Sequence, residues 1–381
     1  MPLLRRRNPA AMKVSAYVQL HRGTVMPTGV GQHLIHMTRG LSQRPGMDVN
    51  VLAPRNQLDR DEKISEGNPL AGIAARGLPL GRRWLEALWE RTNYPKADYW
   101  CGDADWIYSP TEVYIATRRP RLAVTVHDLH AFESDLPWSG TREHLAFRRR
   151  WSRMMAPIIK HSSCILAASE FTKGRLCKLL NVKSDRVAVV GNGVDPLYFA
   201  AKDGLRSEMG ERPYIVVVGG LTRRKGGDLI LRVAQKLSQE LPELRILVAG
   251  RGESAFTTPA LAVGNIQLLQ HIPTERLASL LHDATAAVFL SRYEGFGIPV
   301  VEAMAAGTPV ISSNRGALPE VVGKAGLLLD PEETGSVVEA IRWFSRDAAA
   351  RAEYIARGSI RAEGYRWERC VERLAQALET H

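Results

Sequence analysis

Cysteine is scarce in this 381-residue chain: only Cys101, Cys164, Cys177 and Cys370. None stands in a CxxC pair or a Cys/His cluster, so the spacing offers neither a zinc site nor a disulfide framework. Reduced thiols in an intracellular setting are the expectation. Long apolar runs are missing too. No stretch approaches the ~20 apolar residues that cross a bilayer. The opening MPLLRRRNPAAMKVSAYVQL lacks an apolar segment of the length a secretory signal needs. A cytoplasmic location follows, with the inner face of the cytoplasmic membrane as its variant. Residues 1–11 read as a basic, disordered tail, and Met12 as the start of the fold. The phosphate-loop pattern GxxxxGK[ST] is absent and the dinucleotide fingerprint GxGxxG is not met. There is no low-complexity segment.

What is present belongs to a globular protein: 45% hydrophobic and 24% charged residues. The length suggests two domains of ordinary size. The formal net charge is +11, and it is unevenly placed. Residues 1–200 hold 29 Lys and Arg against 18 Asp and Glu, whereas residues 201–381 hold 22 of each. A basic half beside a neutral half suits an anionic partner: a phospholipid surface, a phosphorylated substrate or nucleic acid. Ordinary solubilising charge is the plainer alternative. Nucleic acid is disfavoured because no binding module or aromatic platform is recognisable. In the segment from Thr141 to His161, Phe147, Trp151, Met154, Met155, Ile158 and Ile159 form a helical stripe. Arg148, Arg149, Arg150 and Arg153 fall largely off it, which fits a helix packed on a sheet or a basic face near anionic headgroups.

Strand-like and helix-like segments alternate through both halves. In the first, Lys13–Gln19, Val49–Ala53, Trp106–Ser109, Leu122–Val126, Ser163–Ala168 and Val187–Val190 read as buried strands, and Gly31–Leu41 has helical spacing. In the second, Tyr214–Val218, Leu244–Ala249, Ala286–Leu290 and Val310–Ser312 repeat the rhythm. Such alternation argues for an α/β protein with two doubly wound, Rossmann-like domains. The expected bounds are 12–195 for the first domain, 196–212 for a linker, 213–362 for the second, and 363–381 for a final helix.

Ligands of such folds bind at the carboxyl ends of strands, so the loops there carry the chemistry. After Leu290 comes Ser291-Arg-Tyr-Glu294-Gly-Phe-Gly297, then a short helix opened by Ile298 and Pro299 and closed by Gly307. Free N–H groups at that helix start attract phosphate, and Gly295 and Gly297 let backbone approach a ligand. Glu294 lies at the mouth of this turn and Glu302 one helical turn inside. After Val218, Gly219-Gly220-Leu-Thr-Arg223-Arg224-Lys225-Gly226-Gly227 reads as a phosphate clamp. Gly29-Val-Gly31 and Gly250-Arg-Gly252 read as glycine turns, weak signals alone. His127-Asp128 follows the strand ending at Val126. A lone histidine is commonly structural, but that position favours function.

The segment SRYEGFGIPVVEAMAAGTPVISSNRGALPEVVGKAGLLLDP closely resembles the donor-binding signature of retaining glycosyltransferases of the GT-B fold, family four. TGVGQ, VTVHDL, ASEFTKGRL, VVGNGVDPLYF, VVVGGLTRRKGGDLIL, ILVAGRGE and YRWERCVERL fit the same family in order. The resemblance runs from about Met12 to Leu378, leaving about Arg55 to Cys101 unassigned, and leans toward the mannosyl- and rhamnosyl-transferring branch.

The resemblance implies a division of labour. Glu302 accepts from the ribose hydroxyls of a nucleoside-diphosphate sugar, GDP- or UDP-linked, and Glu294 lies by the transferred hexose. Amides of Gly295, Phe296 and Gly297 hold sugar hydroxyls, and the helix start at Ile298 faces the diphosphate. Lys225 binds that diphosphate. Many relatives have an arginine where this chain has Gly220, and Arg224 takes over its charge. Gly29 and Gly31 belong to a first-domain loop that closes over the phosphates, and His127 stands near the sugar. The resemblance further implies retention, no metal and no other cofactor, a lipid-linked or oligosaccharide acceptor, and a final helix crossing back to the first domain. A sugar-nucleotide epimerase, a glycogen- or sucrose-type synthase, and a non-catalytic binding or scaffold protein are the alternatives.

Overall fold

In the computed structural model, which describes residues 11–20, 29–201, 212–270 and 272–381, the chain divides into two compact units. The first comprises Met1–Ala168, Lys173–Val190 and Cys370–His381; the second comprises Ser169–Thr172 and Gly191–Arg369. Residues 1–10, where the basic tail was expected, lie outside the described residues.

The first unit is built on a seven-stranded sheet ordered β3-β2-β1-β4-β5-β6-β7. Its elements are β1 (Met12–Tyr17), α1 (Gly29–Gln43), β2 (Met47–Pro54), β3 (Ala75–Leu78), α2 (Arg82–Thr92), α3 (Asp98–Cys101), β4 (Trp106–Ser109), β5 (Arg121–Val126), α4 (Arg142–His161), β6 (Cys164–Ala167), α5 (Glu170–Leu180) from Lys173 onward, and β7 (Val187–Val189). Adjacent strands pair in parallel, as the buried Val, Ile, Leu and Ala runs imply. On α4, Met155 and Ile158 are buried while Phe147, Trp151 and Ile159 pack half-buried on the core. Thr141 caps this helix by accepting from the His144 amide at 3.2 Å. The unassigned stretch from Arg55 to Cys101 supplies β3, α2 and α3. At the other end of the chain, Arg44 pairs with Glu372 at 3.1 Å and Arg373 donates to the Val190 carbonyl at 3.1 Å.

The second unit has a six-stranded parallel sheet ordered β10-β9-β8-β11-β12-β13. Its elements are α6 (Pro196–Ala200), β8 (Tyr214–Val218), α7 (Gly227–Glu240), β9 (Arg245–Ala249), α8 (Ser254–Ala260), β10 (Ile266–Leu268), α9 (Thr274–His282), β11 (Ala286–Phe289), α10 (Ile298–Ala305), β12 (Val310–Ser313), α11 (Leu318–Val322), β13 (Leu327–Leu329), α12 (Thr334–Arg346), α13 (Ala348–Glu363) and the start of α14 (Trp367–Thr380). The beginning of the expected linker is helical: Asp195 accepts from the Leu197 amide at 2.9 Å and Pro196 starts α6. Residues 202–211 lie outside the described residues. Helix α7 buries Leu229, Ile230, Val233, Ala234 and Leu237 on the sheet, a stripe at helical spacing.

In both sheets the chain starts at the centre, runs outward one way, then returns and continues the other way. The direction reverses between β1 and β4 in the first unit and between β8 and β11 in the second. Beyond the carboxyl ends of such a strand pair the loops diverge and leave a crevice for ligand.

Candidate functional site

The loops after β8 and β11 flank the switch point of the second unit, and eight of the expected site residues sit on them or on the start of α10. The first loop turns through two glycines, Gly219 at φ +102° and Gly220 at φ +75°, whose amides both donate to the Ala249 carbonyl, at 2.7 and 2.9 Å. An ideal Cβ on Gly220 would lie 1.8 Å from the Arg251 carbonyl oxygen. No side chain fits there without a shift of that backbone. Thr222 then closes the turn, its hydroxyl accepting from the Lys225 amide at 3.2 Å and its carbonyl from the Gly227 amide at 2.8 Å.

The second loop is anchored at several atoms. The Arg292 amide donates to the Arg224 carbonyl and the Ala317 amide to the Glu294 carbonyl, both at 2.9 Å. The Gly295 carbonyl accepts from the Ser169 hydroxyl at 2.6 Å and from the Thr172 hydroxyl at 3.1 Å. With that carbonyl tied down, the Gly295, Phe296, Gly297 and Ile298 amides have no protein acceptor among the described residues. Gly297, at φ +101°, caps α10, and Pro299 occupies its first turn. The Phe296 side chain is buried edge-on to Tyr365, so this residue offers its backbone and not its ring. The arrangement is a set of convergent N–H donors at a helix start, suited to an anion or to hydroxyl oxygens.

The charges are coupled. Arg224 Nη1 donates to Glu294 Oε2 and to the Tyr293 carbonyl, both at 2.8 Å, and the Ser291 hydroxyl donates to Glu294 Oε1 at 2.9 Å. Burial pushes the Glu294 carboxyl up, but Arg224 and Lys225 outweigh it and the net displacement is downward. Lys225 is pushed down by burial and by Arg224, against the pull of Glu294 and Glu302. Glu302, on α10, moves the other way: burial raises its carboxyl to about 7, Asp195 adds to the rise, and Tyr198 and Lys225 oppose it. The unit thus holds one carboxylate firmly ionised and another poised near neutrality.

Gly29, Gly31 and His127 belong to the first unit. Gly29 and Gly31 do not form a glycine turn; both lie in the first turn of α1. Thr28, the first residue of TGVGQ, lies outside the described residues. His127 follows β5, where its Nε2 donates to the Pro110 carbonyl at 3.0 Å and its amide to Glu112 Oε1 at 2.7 Å.

Sequence reasoning passed over Ser169, Thr172, Ser291 and Tyr198. Ser169 and Thr172 stand three apart at the start of α5, where Ser169 accepts from the Thr172 amide at 3.0 Å. That spacing is a capping signal, legible in ASEFTKGRL, but nothing in it points to Gly295.

This fold and site define a GT-B-type glycosyltransferase. The sequence matches Glycosyltransferase Family 4 over residues 27–197 and Glycosyl transferases group 1 over residues 206–361. It is 31% identical over 370 residues to the phosphatidyl-myo-inositol mannosyltransferase of Mycolicibacterium smegmatis, covering 93% of this chain and 91% of that one. It is 27% identical over 373 residues to O-antigen chain mannosyltransferase B of Escherichia coli, covering 92% and 96%. Among solved structures, Anabaena HepE in complex with UDP-glucose aligns with TM-score 0.71 at 18% identity, over 97% of this chain and all of that one. WaaG, a glycosyltransferase involved in lipopolysaccharide biosynthesis, aligns with TM-score 0.65 at 14% identity, over 97% and 100%. The chain belongs to the family-four glycosyltransferases.

Proposed function

We propose that this protein transfers a hexose, mannose before others, from a GDP- or UDP-linked donor to a hydroxyl of a lipid-linked or polysaccharide acceptor in cell-envelope glycan synthesis. The observation that carries the reading is the pairing, at the switch point, of Lys225, coupled to Glu294 and Glu302, with the amides of Gly295 to Ile298, which have no protein acceptor among the described residues, and with Glu302 one helical turn inside. A nucleoside diphosphate is an anion with a diol at one end. The amides and Lys225 suit the phosphates, and the Glu302 carboxyl suits the ribose diol. Mannose takes precedence because two full-length relatives are mannosyltransferases.

Breaking the sugar–phosphate bond leaves negative charge on the diphosphate. Lys225, Arg224 and the start of α10 stabilise that charge, a task a divalent metal performs in other transferases. The sugar passes through an oxocarbenium-like state. The acceptor hydroxyl attacks from the face the phosphate leaves, and the departing phosphate takes its proton. The anomeric configuration is retained and no protein nucleophile is used. Glu294, kept ionised by Arg224 and Lys225, accepts from hydroxyls of the transferred hexose. His127 is the sugar-side residue of the first unit.

A peripheral contact with anionic membrane completes the reading. Arg148, Arg149, Arg150 and Arg153 of α4 face solvent, and α2, which packs on α4, carries Trp84 at 75% exposure. Exposed cations and an exposed indole on neighbouring helices suit the headgroup layer. No described helix is long and apolar enough to cross a membrane.

Thermal-shift screening of UDP, GDP and ADP, followed by turnover of GDP-mannose and UDP-glucose, tests the donor reading. A shift with GDP or UDP and release of that nucleotide is expected. Indifference to all three nucleotides overturns it. Activity that survives EDTA is expected, and a metal-restorable loss contradicts the metal-free charge assignment.

A further inference from the structure

Glu112 has no role in the reading above, yet it accepts a hydrogen bond from the His127 amide. Strands β4 and β5 pair in parallel up to Ser109 and Val124. Past that point β5 pairs only with β6, as far as Val126, and the amide just beyond the strand end needs another acceptor. The three residues after β4 supply it. The His127 amide donates to Glu112 Oε1 at 2.7 Å, and its Nε2 donates to the Pro110 carbonyl at 3.0 Å. A carbonyl can only accept, so this contact places the ring proton on Nε2.

The loop is itself held. The Ser109 hydroxyl and the Val113 amide both donate to the Thr111 carbonyl, at 2.8 and 2.7 Å. On the other side, the buried His33 ring meets the His127 ring edge-on, with centroids 4.8 Å apart. His33 Nε2 lies 3.2 Å from the Tyr108 hydroxyl, which lies 3.3 Å from the Thr125 hydroxyl. Backbone, ring edge and ring nitrogen are therefore each constrained by a different neighbour. Among the described residues, the charged and titratable groups around them include Glu112 from the β4 loop, Asp128 and its partner His130 at 2.6 Å, Tyr108 of β4, and His33 from α1. Burial raises the Glu112 carboxyl and His127 pulls it back.

We propose that Glu112 is a positioning residue for His127, its Oε1 fixing the backbone from which the imidazole projects. This rests on the reading of His127 as the sugar-side residue. A glutamine keeps the accepting oxygen, whereas alanine removes it, so the pair separates positioning from charge. A misplacement of about 1 Å can cost about 10²-fold in rate.

The test uses the full chain and compares Glu112→Ala, Glu112→Gln, His127→Ala and the Glu112→Ala/His127→Ala double variant. Turnover of GDP-mannose or UDP-glucose and the Kd for the matching nucleotide are measured, with melting temperature as a folding control. Glu112→Ala is expected to lower kcat by about 10- to 100-fold with nucleotide Kd unchanged. Glu112→Gln is expected to restore kcat, and Glu112→Ala to add nothing to His127→Ala. Wild-type kcat in Glu112→Ala, or a loss that persists undiminished in the His127→Ala background, overturns the proposal. A fully active His127→Ala defeats the His127 assignment itself and takes the proposal with it. Imidazole ¹⁵N spectra give a readout independent of the donor: a single Nε2–H tautomer for His127 in wild type and Glu112→Gln, and an averaged one in Glu112→Ala. An unchanged spectrum in Glu112→Ala also overturns the proposal.

Discussion

Tyr198 of α6 hydrogen-bonds the carboxyl group of Glu302 on α10. The phenol is itself buried, at 3% exposure, and both burial and the neighbouring carboxyl hold its proton in place. The contact offsets part of what burial does to the titration of that carboxyl. Burial lifts Glu302 to about 7, and the Tyr198 O–H restrains the rise by favouring the charged form.

A pH dependence of nucleotide binding follows. A ribose diol donates to a carboxylate better than to a carboxylic acid, so the ionised form is the binding form. Nucleotide affinity is expected to be full well above pH 7 and to fall as pH drops through about 7, where Glu302 takes up its proton. One proton sets a limit of about tenfold per pH unit. Tyr198→Phe removes the stabilising donor and moves the midpoint upward; Glu302→Gln abolishes the dependence. Calorimetric titration of GDP or UDP between pH 5.5 and 8.5 checks this, and a flat profile in the wild type contradicts the assignment of Glu302.

The two glutamates should separate in kinetics. Glu302→Ala is expected to weaken nucleotide binding by roughly 10- to 100-fold, the worth of a hydrogen bond or two to a charged acceptor. Glu294→Ala is expected to leave nucleotide affinity within about threefold and to lower kcat by on the order of 10²-fold, as for loss of an aligned polar group at the reacting sugar. Nucleotide affinity in Glu294→Ala has a second meaning, since Arg224 donates to Glu294 Oε2 at 2.8 Å. Removing the carboxylate releases a cation for the diphosphate. Equal effects of both substitutions on Kd and kcat argue against the division.

The sequence made the rhythm of strands legible because parallel strands covered on both faces carry unbroken runs such as Tyr214–Val218 and Ala286–Phe289. Short half-buried strands such as Ile266–Leu268 and Leu327–Leu329 were not separable from their surroundings. The helix start after Gly297 was visible because Pro299 and Gly307 punctuate α10 locally. The Arg224–Glu294 pair and the Ser169–Gly295 contact join residues 70 and 126 positions apart. No local pattern encodes such distances. Glycine meaning was also incomplete: Gly29 and Gly31 have the spacing of a turn yet begin α1, since glycine permits a turn without requiring one.

Gly219 and Gly220 provide a test of backbone against side chain. Both have positive φ, so alanine at either costs roughly 1–3 kcal/mol in strain. At Gly220 the new Cβ also meets backbone, the Arg251 carbonyl oxygen at 1.8 Å. At Gly219 it meets Lys225 Nζ at 1.8 Å, the movable end of a long side chain. Gly220→Ala is expected to be the more destabilising by about 1–3 kcal/mol, seen as a lower midpoint in urea. Gly219→Ala is expected to fold and to lose nucleotide affinity, because Lys225 is displaced. The reverse ranking is incompatible with the loop geometry.

Membrane contact through the first unit can be separated from generic charge. The Arg149 and Arg153 side chains are exposed on α4 one helical turn apart, while Trp84 is 75% exposed on α2. Each arginine near an anionic surface contributes about 1 kcal/mol, so Arg149→Ala/Arg153→Ala is expected to lower the partition onto phosphatidylglycerol vesicles by roughly 30-fold. Salt acts in the same direction, since the Debye length shrinks to about 3 Å at 1 M. Trp84→Ala should weaken binding in a way that added salt does not reproduce, because the indole contributes burial and not charge. Vesicle co-sedimentation with anionic and with purely zwitterionic lipid measures both effects. Equal binding to the two lipids removes the electrostatic argument, and binding to oligonucleotides with the same salt sensitivity reassigns the surface to nucleic acid.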